Sequence, residues 1–410
     1  GTLGDNTTGG YNVGIGGYAL DENTTGEENV AIGRCAMKVS LSGDSNVAIG
    51  TEAMCSNWSG ANNIAIGCKA LEDWTGKEGR EGSIAIGTCA LATITTAAGN
   101  TAVGYMAGQV TTNGDNTAIG YCAMNCNTSG EANVAIGCGA SRVGTGARHN
   151  VAIGFRALES NTTCGNIAIG YQAAYNQSTG KCNVVIGCQA MYNGGSGDEF
   201  VAVGHKAGYS NNADFNTAIG SCALYSNTTG TGNLAVGHCS LFASVTSNNN
   251  VAVGDEAIRN NTTGCSNVGV GAHALIINTE GAHNQAMGTE TLKGNTTGSC
   301  NIGIGTEALR TNSTGSSNIA IGHLALYSNN TTGRSIAIGE CALCCNTANS
   351  NIAMGYGAMR ENQSGYYNTA LGYETLQDND SGNNNTAVGH CALHENENSH
   401  NTGVGMYALL

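Results

Sequence analysis

The stretch N-V-A-I-G-R-C-A-M, residues 29–37, contains the pattern that decides the fold of this chain. It begins with Asn29, reaches a glycine at Gly33 and continues through two variable residues to Ala and a large aliphatic residue. The same phrase, followed by a polar turn often spelled N-T-T-G, returns about every 17 residues, roughly 24 times between Asn12 and Asn401. Every copy has the glycine that corresponds to Gly33, which we call the phrase glycine.

A period this short cannot hold the two helices of a helical repeat. The first five residues of the phrase have the alternation and the β-branched content of a strand. The sequence therefore predicts an all-β protein, a parallel β-solenoid of about 24 coils with a period of about 17 residues. Proline is absent from the chain, as expected where strand N–H groups bond to neighbouring coils.

Side chains alternate along a strand, so Val30 and Ile32 are expected on one side of the sheet and Ala31 on the other. We expect the isoleucines to face the core and to meet the leucines of the Ala-Leu pairs, which would form a second short strand. This prediction implies that Asp in place of Ile153 or Ile169 would bury an unpaired charge and disrupt the local coils.

The Asn that opens each phrase is the second repeated feature, and it is replaced only by Ser83, Phe200 and Ser335. Stacked asparagines stabilise in-register strands through hydrogen bonds between their amide groups. We therefore predict an internal ladder of opening asparagines that serves the fold rather than a ligand.

The composition is uniform along the chain, without a linker or a second pattern, which predicts a single continuous solenoid domain over residues 1–410. Leu3 and Leu409 both occupy the Ala-Leu position of a coil, and we expect the chain to be a segment of a longer fibre protein. The net charge of −14 argues against nucleic acid or an anionic membrane surface as a partner. No stretch is apolar enough to predict insertion into a membrane.

The chain has 18 cysteines, an unexpected number for such a repeat. Cys222 and Cys239 occupy equivalent positions in adjacent coils, where stacking about 4.8 Å apart predicts a possible inter-coil disulfide. The alternative is that most cysteines are free thiols that act as small apolar residues. No paired C-x-x-C spacing recurs, so neither a metal site nor a cofactor is predicted.

The polar turns also contain acceptor triplets for N-glycosylation, N-x-S or N-x-T. A purely structural explanation competes with this one, because Asn, Thr and Gly are also the residues that a tight turn selects. The asparagines concerned are Asn6, Asn23, Asn127, Asn161, Asn227, Asn261, Asn295, Asn312 and Asn330.

The sequence does not indicate catalysis. His205, His238, His323 and His390 follow phrase glycines but lie two or more coils apart, on a position that accepts many residue types. Glu290 occupies a position equivalent to another glutamate one coil away, which suits a solvated face better than an acid–base pair. We therefore expect that the chain is not an enzyme and that Glu290→Lys has little effect on stability.

The chain resembles the head repeats of trimeric autotransporter adhesins and the related repeats of phage and large-virus tail fibre proteins. The resemblance rests on N-V-A-I-G at residues 29–33, N-T-A-I-G-Y at residues 116–121 and A-L-Y-S-N-T-T-G at residues 223–230. It implies a left-handed β-roll, commonly a homotrimer, with Ala48, Ala65 and the equivalent alanines near the threefold axis.

The repeat and the resemblance together predict a structural fibre or adhesive stalk at a cell surface, in an extracellular filament or on a virion. Such a chain would act through self-association, as a homotrimer or a head-to-tail filament, with a surface glycan or receptor as a further partner. The alternative is a glycan-binding or ice-binding face. Thr recurs at the second position of the phrase, but we expect these threonines to face inward and predict no thermal hysteresis. They are Thr101, Thr117, Thr217, Thr369, Thr386 and Thr402.

Overall fold

The computed structural model describes residues 1–73, 82–94, 98–111 and 113–409. The described residues form three-residue β-strands joined by turns and bends, with no helix among them. That part of the chain accordingly has no helix with the length and apolar character of a membrane span. The strands are β1 (Val13–Ile15), β2 (Val30–Ile32), β3 (Val47–Ile49), β4 (Ile64–Ile66), β5 (Ile84–Ile86), β6 (Thr101–Val103), β7 (Thr117–Ile119), β8 (Val134–Ile136), β9 (Val151–Ile153), β10 (Ile167–Ile169), β11 (Val184–Ile186), β12 (Val201–Val203), β13 (Thr217–Ile219), β14 (Leu234–Val236), β15 (Val251–Val253), β16 (Val268–Val270), β17 (Gln285–Met287), β18 (Ile302–Ile304), β19 (Ile319–Ile321), β20 (Ile336–Ile338), β21 (Ile352–Met354), β22 (Thr369–Leu371), β23 (Thr386–Val388) and β24 (Thr402–Val404).

The chain divides into two compact units, Gly1–Ala202 and Val203–Leu410, each built from consecutive coils. Within each unit a strand pairs in parallel with the next strand along the chain, and equivalent residues of the phrase face each other. Ala31, for example, pairs with Ala48 of the following coil. In the second unit, Ala235 pairs with Ala252 in the same way. The predicted parallel β-solenoid with a period of about 17 residues is therefore confirmed.

The orientation of the strands is the opposite of the predicted one. Ala152 and Ala168, the middle residues of β9 and β10, are fully buried. Ile136, at the end of β8, is 37% exposed, and Ile153 and Ile169 are partly exposed. The prediction that the isoleucines form the core was wrong.

The interior of a coil is narrow, and the rare glycines in the middle of a strand show how narrow. A Cβ atom added to Gly269 would lie 2.6 Å from Cγ1 of Ile258, which occupies the leucine position of the preceding coil. One added to Gly303 would lie 3.6 Å from Cδ1 of Leu292. At both glycines even a methyl group would clash with a β-branched side chain of the preceding coil, since Thr291 Cγ2 would lie 2.6 Å from a Cβ atom at Gly303. At most other strands the middle residue is a fully buried alanine, so the side chains of the preceding coil leave room for little more than one methyl group.

The Ala-Leu pair does not form the predicted second strand. Cys35 and Met37 flank Ala36 and both have left-handed backbone, with φ of 57° and 46°. The N–H groups of these two left-handed residues point to opposite neighbours, because Cys35 N donates to Gly17 O of the preceding coil and Met37 N donates to Ala53 O of the following coil. These bonds between coils stabilise a conformation that is unfavourable for residues other than glycine.

The phrase glycine is required by the stacking of backbones. At Gly170, φ is 137°, a conformation essentially restricted to glycine. A Cβ atom at this position would lie 2.5 Å from the carbonyl oxygen of Gly187, the equivalent glycine of the next coil. A column of phrase glycines therefore lets consecutive coils approach each other at this corner.

The predicted ladder of opening asparagines is confirmed. Asn46 N donates to Asn29 Oδ1 at 2.9 Å, and Asn63 N donates to Asn46 Oδ1 at the same distance. Most of the amide nitrogens also donate to a turn carbonyl, as from Asn46 to Gly60 at 2.7 Å. Phe200 retains the backbone part of this pattern, because its N–H donates to Asn183 Oδ1 at 2.7 Å.

A second ladder, which the sequence analysis did not predict, runs through the polar turns. Asn295 Nδ2 donates to Asn278 Oδ1 at 2.7 Å, and Asn312 Nδ2 donates to Asn295 Oδ1 at 2.9 Å. These turn asparagines are fully buried. Their role is therefore to satisfy buried polar groups along the second corner of the coils.

Candidate functional site

A repeating surface feature of the described residues is the outward side of the sheet, formed by the first and third residues of every strand. We call it the apolar face; its members are the two residues that bound each strand given above. Most of them are Val or Ile, and they lie in two columns on either side of the buried alanines. Ile119 and Ile136 on β7 and β8 are each 37% exposed, and Ile304 and Ile321 on β18 and β19 are 38% and 36% exposed.

The apolar face is large in each unit. The eleven strands β1 to β11 contribute two residues each, so the first unit presents 22 such side chains. All are Val or Ile except Thr101 and Thr117. Contiguous apolar surface of this kind marks an interaction site more often than chance exposure.

The threonines of the phrase lie on this face rather than inside the coil. Thr101 and Thr117 are first residues of neighbouring strands, pair with each other, and are partly exposed. Thr369 and Thr386 make an equivalent pair in the second unit. The prediction that these threonines face inward was therefore wrong, for the same steric reason that places the isoleucines outside.

The alanines that the family resemblance placed near a threefold axis are not on the surface. Ala48 and Ala65 are fully buried within their own coils. They cannot contact another chain without unfolding of the coil. Any contact between copies on this side of the coil would instead use the Val and Ile columns of the apolar face.

Charged residues concentrate at two positions in the coil, two and five residues after the phrase glycine. Glu290 and Lys293 occupy these positions in one coil, with Lys293 Nζ 2.8 Å from Glu290 Oε1. Arg310, from the next coil, places its Nε 2.8 Å from Glu290 Oε2 and its Nη1 2.7 Å from the Tyr327 hydroxyl. Hydrogen bonds from Lys293 and Arg310 lower the pKa of Glu290 below its ordinary value of 4.5.

Glu290 is thus held by two cations, and the expectation that Glu290→Lys has little effect needs correction. His273 Nδ1 adds a third contact, at 3.9 Å from Glu290 Oε1. A lysine at this position would bring a fourth basic group into the cluster. Since exposed ion pairs contribute about 0.2–1 kcal/mol each, we now expect a small but measurable loss of stability.

The two cysteines predicted to form a disulfide are free in the structure and partly buried. Their coils pair as predicted, because β13 pairs in parallel with β14 and Cys239 N donates to Ser221 O at 2.9 Å. Burial raises the pKa of the Cys239 thiol, and the neighbouring Cys222 raises it further. A protonated thiol is a poor nucleophile, so the raised pKa does not favour a nucleophilic role for Cys239. The disulfide stays a prediction.

Most of the predicted glycosylation sites belong to the turn ladder. Seven of the nine asparagines are buried: Asn23, Asn127, Asn161, Asn227, Asn261, Asn295 and Asn312. The Nδ2 atom to which a glycan would be attached donates hydrogen bonds inside the coil, as from Asn261 to Gly264 O at 2.7 Å. Only Asn6 and Asn330 are exposed. The structure therefore favours a structural role for the seven, and glycosylation itself stays a prediction.

A pair of exposed tyrosines stands apart from the repeating surface. Tyr366 and Tyr367 make an edge-to-face contact with ring centroids 5.2 Å apart, and are 45% and 62% exposed. They line a shallow depression of about 370 Å³ with Thr347, Asn349 and Ser364. Aromatic rings beside hydroxyl and amide groups are chemically suited to contact a sugar. Most other aromatic pairs among the described residues stack face to face between coils, as Tyr175 does with Tyr192 at 5.0 Å, although His390 and Tyr407 also meet edge to face.

One cluster of potential metal ligands occurs among the described residues. Glu374, Cys391 and His394 each offer one ligand atom, and these atoms lie within 4.8 Å of one another. A search for C-x-x-C spacing passes over this cluster, because its members come from two coils and include only one cysteine. Two sequence signals together could have indicated it. Cys391 and His394 have C-x-x-H spacing, and the coil period places Glu374 at the position equivalent to Cys391 in the preceding coil.

No protein-family model matches the chain, and a search of curated proteins finds no match either.

Proposed function

We propose that the chain is a structural fibre or adhesive stalk of a cell surface, an extracellular filament or a virion, and that it acts by assembly and display rather than by catalysis. The observation that supports this proposal is the apolar face. A protein that works alone in water gains nothing from two long columns of partly exposed Val and Ile, whereas an assembling protein buries them.

The partner of the apolar face is a second copy of the same chain. The 22 side chains of the first unit match the 20–30 residues per side of a typical stable interface. The columns repeat at the strand spacing of about 4.8 Å, so a partner must repeat at the same interval to fill every coil. Another copy of the chain meets this condition, and closed homotrimers are among the symmetric assemblies that such a contact allows.

The oligomeric mass of the purified chain tests this proposal. We expect sedimentation and light scattering to give a defined oligomer, with a trimer as the expected state. The double variant Ile119→Lys, Ile136→Lys places charges on neighbouring strands of the apolar face and should give monomers with an unchanged circular dichroism spectrum. The control variant Ser160→Lys, Thr179→Lys adds the same charge at exposed turn positions. It should remain oligomeric.

A monomeric wild-type chain at all concentrations would contradict the assembly proposal. An oligomer that survives the Ile119→Lys, Ile136→Lys substitutions would show that copies associate through another surface, including a head-to-tail contact. Electron microscopy of the same samples separates these arrangements, because a lateral trimer gives particles of fixed size and a head-to-tail contact gives filaments of varied length.

A second candidate function is binding of a glycan, supported by the depression beside Tyr366 and Tyr367. A glycan array probed with the wild-type chain and with Tyr367→Ala tests it. Binding that disappears in the variant would support an adhesive role for this depression. Array signals that are absent or unchanged would leave only the assembly role.

A further inference from the structure

We propose that the second unit binds one zinc ion through Glu374, Cys391 and His394, in the two coils that contain β22 and β23. One ligand atom from each of these residues lies within 4.8 Å of the others. We call them the zinc cluster. The proposal is independent of the assembly proposed above, because it requires only a single chain.

The register of the coils brings the three residues together. Glu374 and Cys391 are each the second residue after a phrase glycine, and Cys391 N donates to Tyr373 O at 2.9 Å, which fixes one coil against the other. Cys391 and Leu393 have left-handed backbone, with φ of 50° and 54°, so the chain turns between Cys391 and His394. In other coils the same two positions form contacts, as Glu290 and Lys293 do at 2.8 Å.

The donor set is suited to zinc. A thiolate, an imidazole and a carboxylate are the three kinds of side chain that bind this ion, whereas calcium and magnesium require oxygen ligands. Zinc bonds of about 2.0–2.3 Å place tetrahedral ligand atoms roughly 3.3–3.8 Å apart. Glu374 and His394 are partly exposed, so rotation of their side chains can close the remaining distance. Three protein ligands leave a fourth position for water or a further carboxylate.

The surroundings of the zinc cluster are buried on the side of Cys391, which is only 6% exposed. Gln377 Oε1 is also buried without a hydrogen-bond partner. Gln377 precedes His394 by one coil at the same coil position. A Cβ atom at Gly357 would lie 3.4 Å from Glu374 Cγ and 3.9 Å from Gln377 Oε1, so the glycine leaves space beside both side chains.

Asp378 lies beside the His394 ring, at a position from which it can support a metal-binding histidine. Its Oδ2 atom lies 3.9 Å from His394 Nδ1, and its N–H donates to the His394 carbonyl at 2.9 Å. A carboxylate beside the second ring nitrogen orients metal-binding histidines and increases their basicity. With the ion bound and this distance shortened to a hydrogen bond, Asp378 would act as a positioning residue, and the ion would link two consecutive coils.

The metal alone tests the site, with Co²⁺ as a spectroscopic substitute for zinc. Fully reduced, metal-free protein should bind one equivalent of Co²⁺ with visible d–d bands and a thiolate-to-cobalt band in the near ultraviolet. One equivalent of Zn²⁺ should displace it. Absence of the thiolate band in the wild-type protein would overturn the proposal.

Variants separate this site from the other cysteines. Cys391→Ser should remove the thiolate band. Glu374→Gln and His394→Gln, at partly exposed positions that tolerate substitution, should each weaken zinc binding by at least about 10-fold, and Asp378→Asn by about 10-fold. The matched control is Cys222→Ser, at the same coil position but with Tyr225 where His394 stands. A thiolate band that persists in Cys391→Ser, or disappears in Cys222→Ser, would overturn the assignment.

Discussion

The two sides of the sheet differ in a way that reverses the usual expectation for a β-protein. The inner side has alanine, with Ala168 fully buried, and the outer side has the larger Ile167 and Ile169, which are partly exposed. Hydrophobicity alone would place isoleucine inside, since it gains more from burial. The width of the coil decides otherwise, because the leucine of the preceding coil already fills the interior. Packing volume therefore outweighs hydrophobicity in so narrow a core.

The most direct test of which side of the strand forms the core is to place the same charge, in turn, on each side of one strand. Ala168→Asp buries an unpaired carboxylate and should cost about 3–5 kcal/mol or unfold the local coils, whereas Ile169→Asp should cost about 1 kcal/mol. Hydrogen exchange of peptides from β9 to β11 measures the effect on the coils concerned.

Both substitutions should be made in the Ile119→Lys, Ile136→Lys background, so that loss of assembly does not contribute to the difference. Greater damage from Ile169→Asp than from Ala168→Asp would mean that the isoleucines are the core after all. Equal effects would mean that neither side dominates the stability of the coil.

The phrase glycine provides the second test, which concerns the close stacking of consecutive coils. This glycine lies at the corner of the coil that follows each strand. Gly170→Ala forces a Cβ atom to 2.5 Å from Gly187 O and places alanine at φ 137°. We expect a loss of about 2–4 kcal/mol. Gly17→Ala is the matched control, since a Cβ atom at Gly17 meets nothing within 4 Å. Thermal unfolding should separate the two variants, and similar midpoints would refute the stacking explanation.

The sequence was sufficient to predict the period, the parallel register and the ladder of opening asparagines, because each depends on residues that repeat in every coil. It was not sufficient to predict which side of the strand faces inward. The alternation of Val30, Ala31 and Ile32 is compatible with alanine facing inward and with Val and Ile facing inward. Only the volume inside the coil distinguishes these two orientations. The turn around Ala36 was also missed, because residues such as Cys35 and Met37 give no sequence signal for left-handed backbone.

The zinc cluster shows a different limit of sequence analysis. Glu374 is 17 residues before Cys391, and this separation has meaning only when the exact coil register is known. The position two residues after the phrase glycine accepts Glu, Lys, Cys, His and Tyr along the chain, so no single residue there indicates a site. Proximity depends on the pairing of particular coils, which a repeat pattern does not reveal.

The asparagine ladder provides a smaller test of the interior. Asn284→Ala removes the acceptor for Asn301 N at 3.0 Å and the donor to Gly298 O at 2.8 Å, leaving buried polar groups unpaired. We expect destabilisation of about 2–3 kcal/mol. The exposed Asn176, whose side chain donates to Asn193 Oδ1 at 3.1 Å, should tolerate alanine with little loss. Denaturant unfolding compares them, and a ladder that contributes nothing would give equal midpoints.

The smallest effect is expected on the charged surface, and it depends on pH. Hydrogen bonds from Lys293 and Arg310 lower the pKa of Glu290 in the folded protein below its ordinary value of 4.5. Its contribution to stability is therefore present above about pH 4.5 and is lost as the pH falls through the lower folded value. Because the ion pairs are exposed to solvent, the contribution should not exceed about 1 kcal/mol. Glu290→Gln should reduce the fall in the unfolding midpoint between pH 5 and pH 3, while the exposed control Glu395→Gln should leave it close to wild type. A fall in the Glu290→Gln midpoint equal to that of the wild type would contradict the pairing of Glu290 with Lys293 and Arg310.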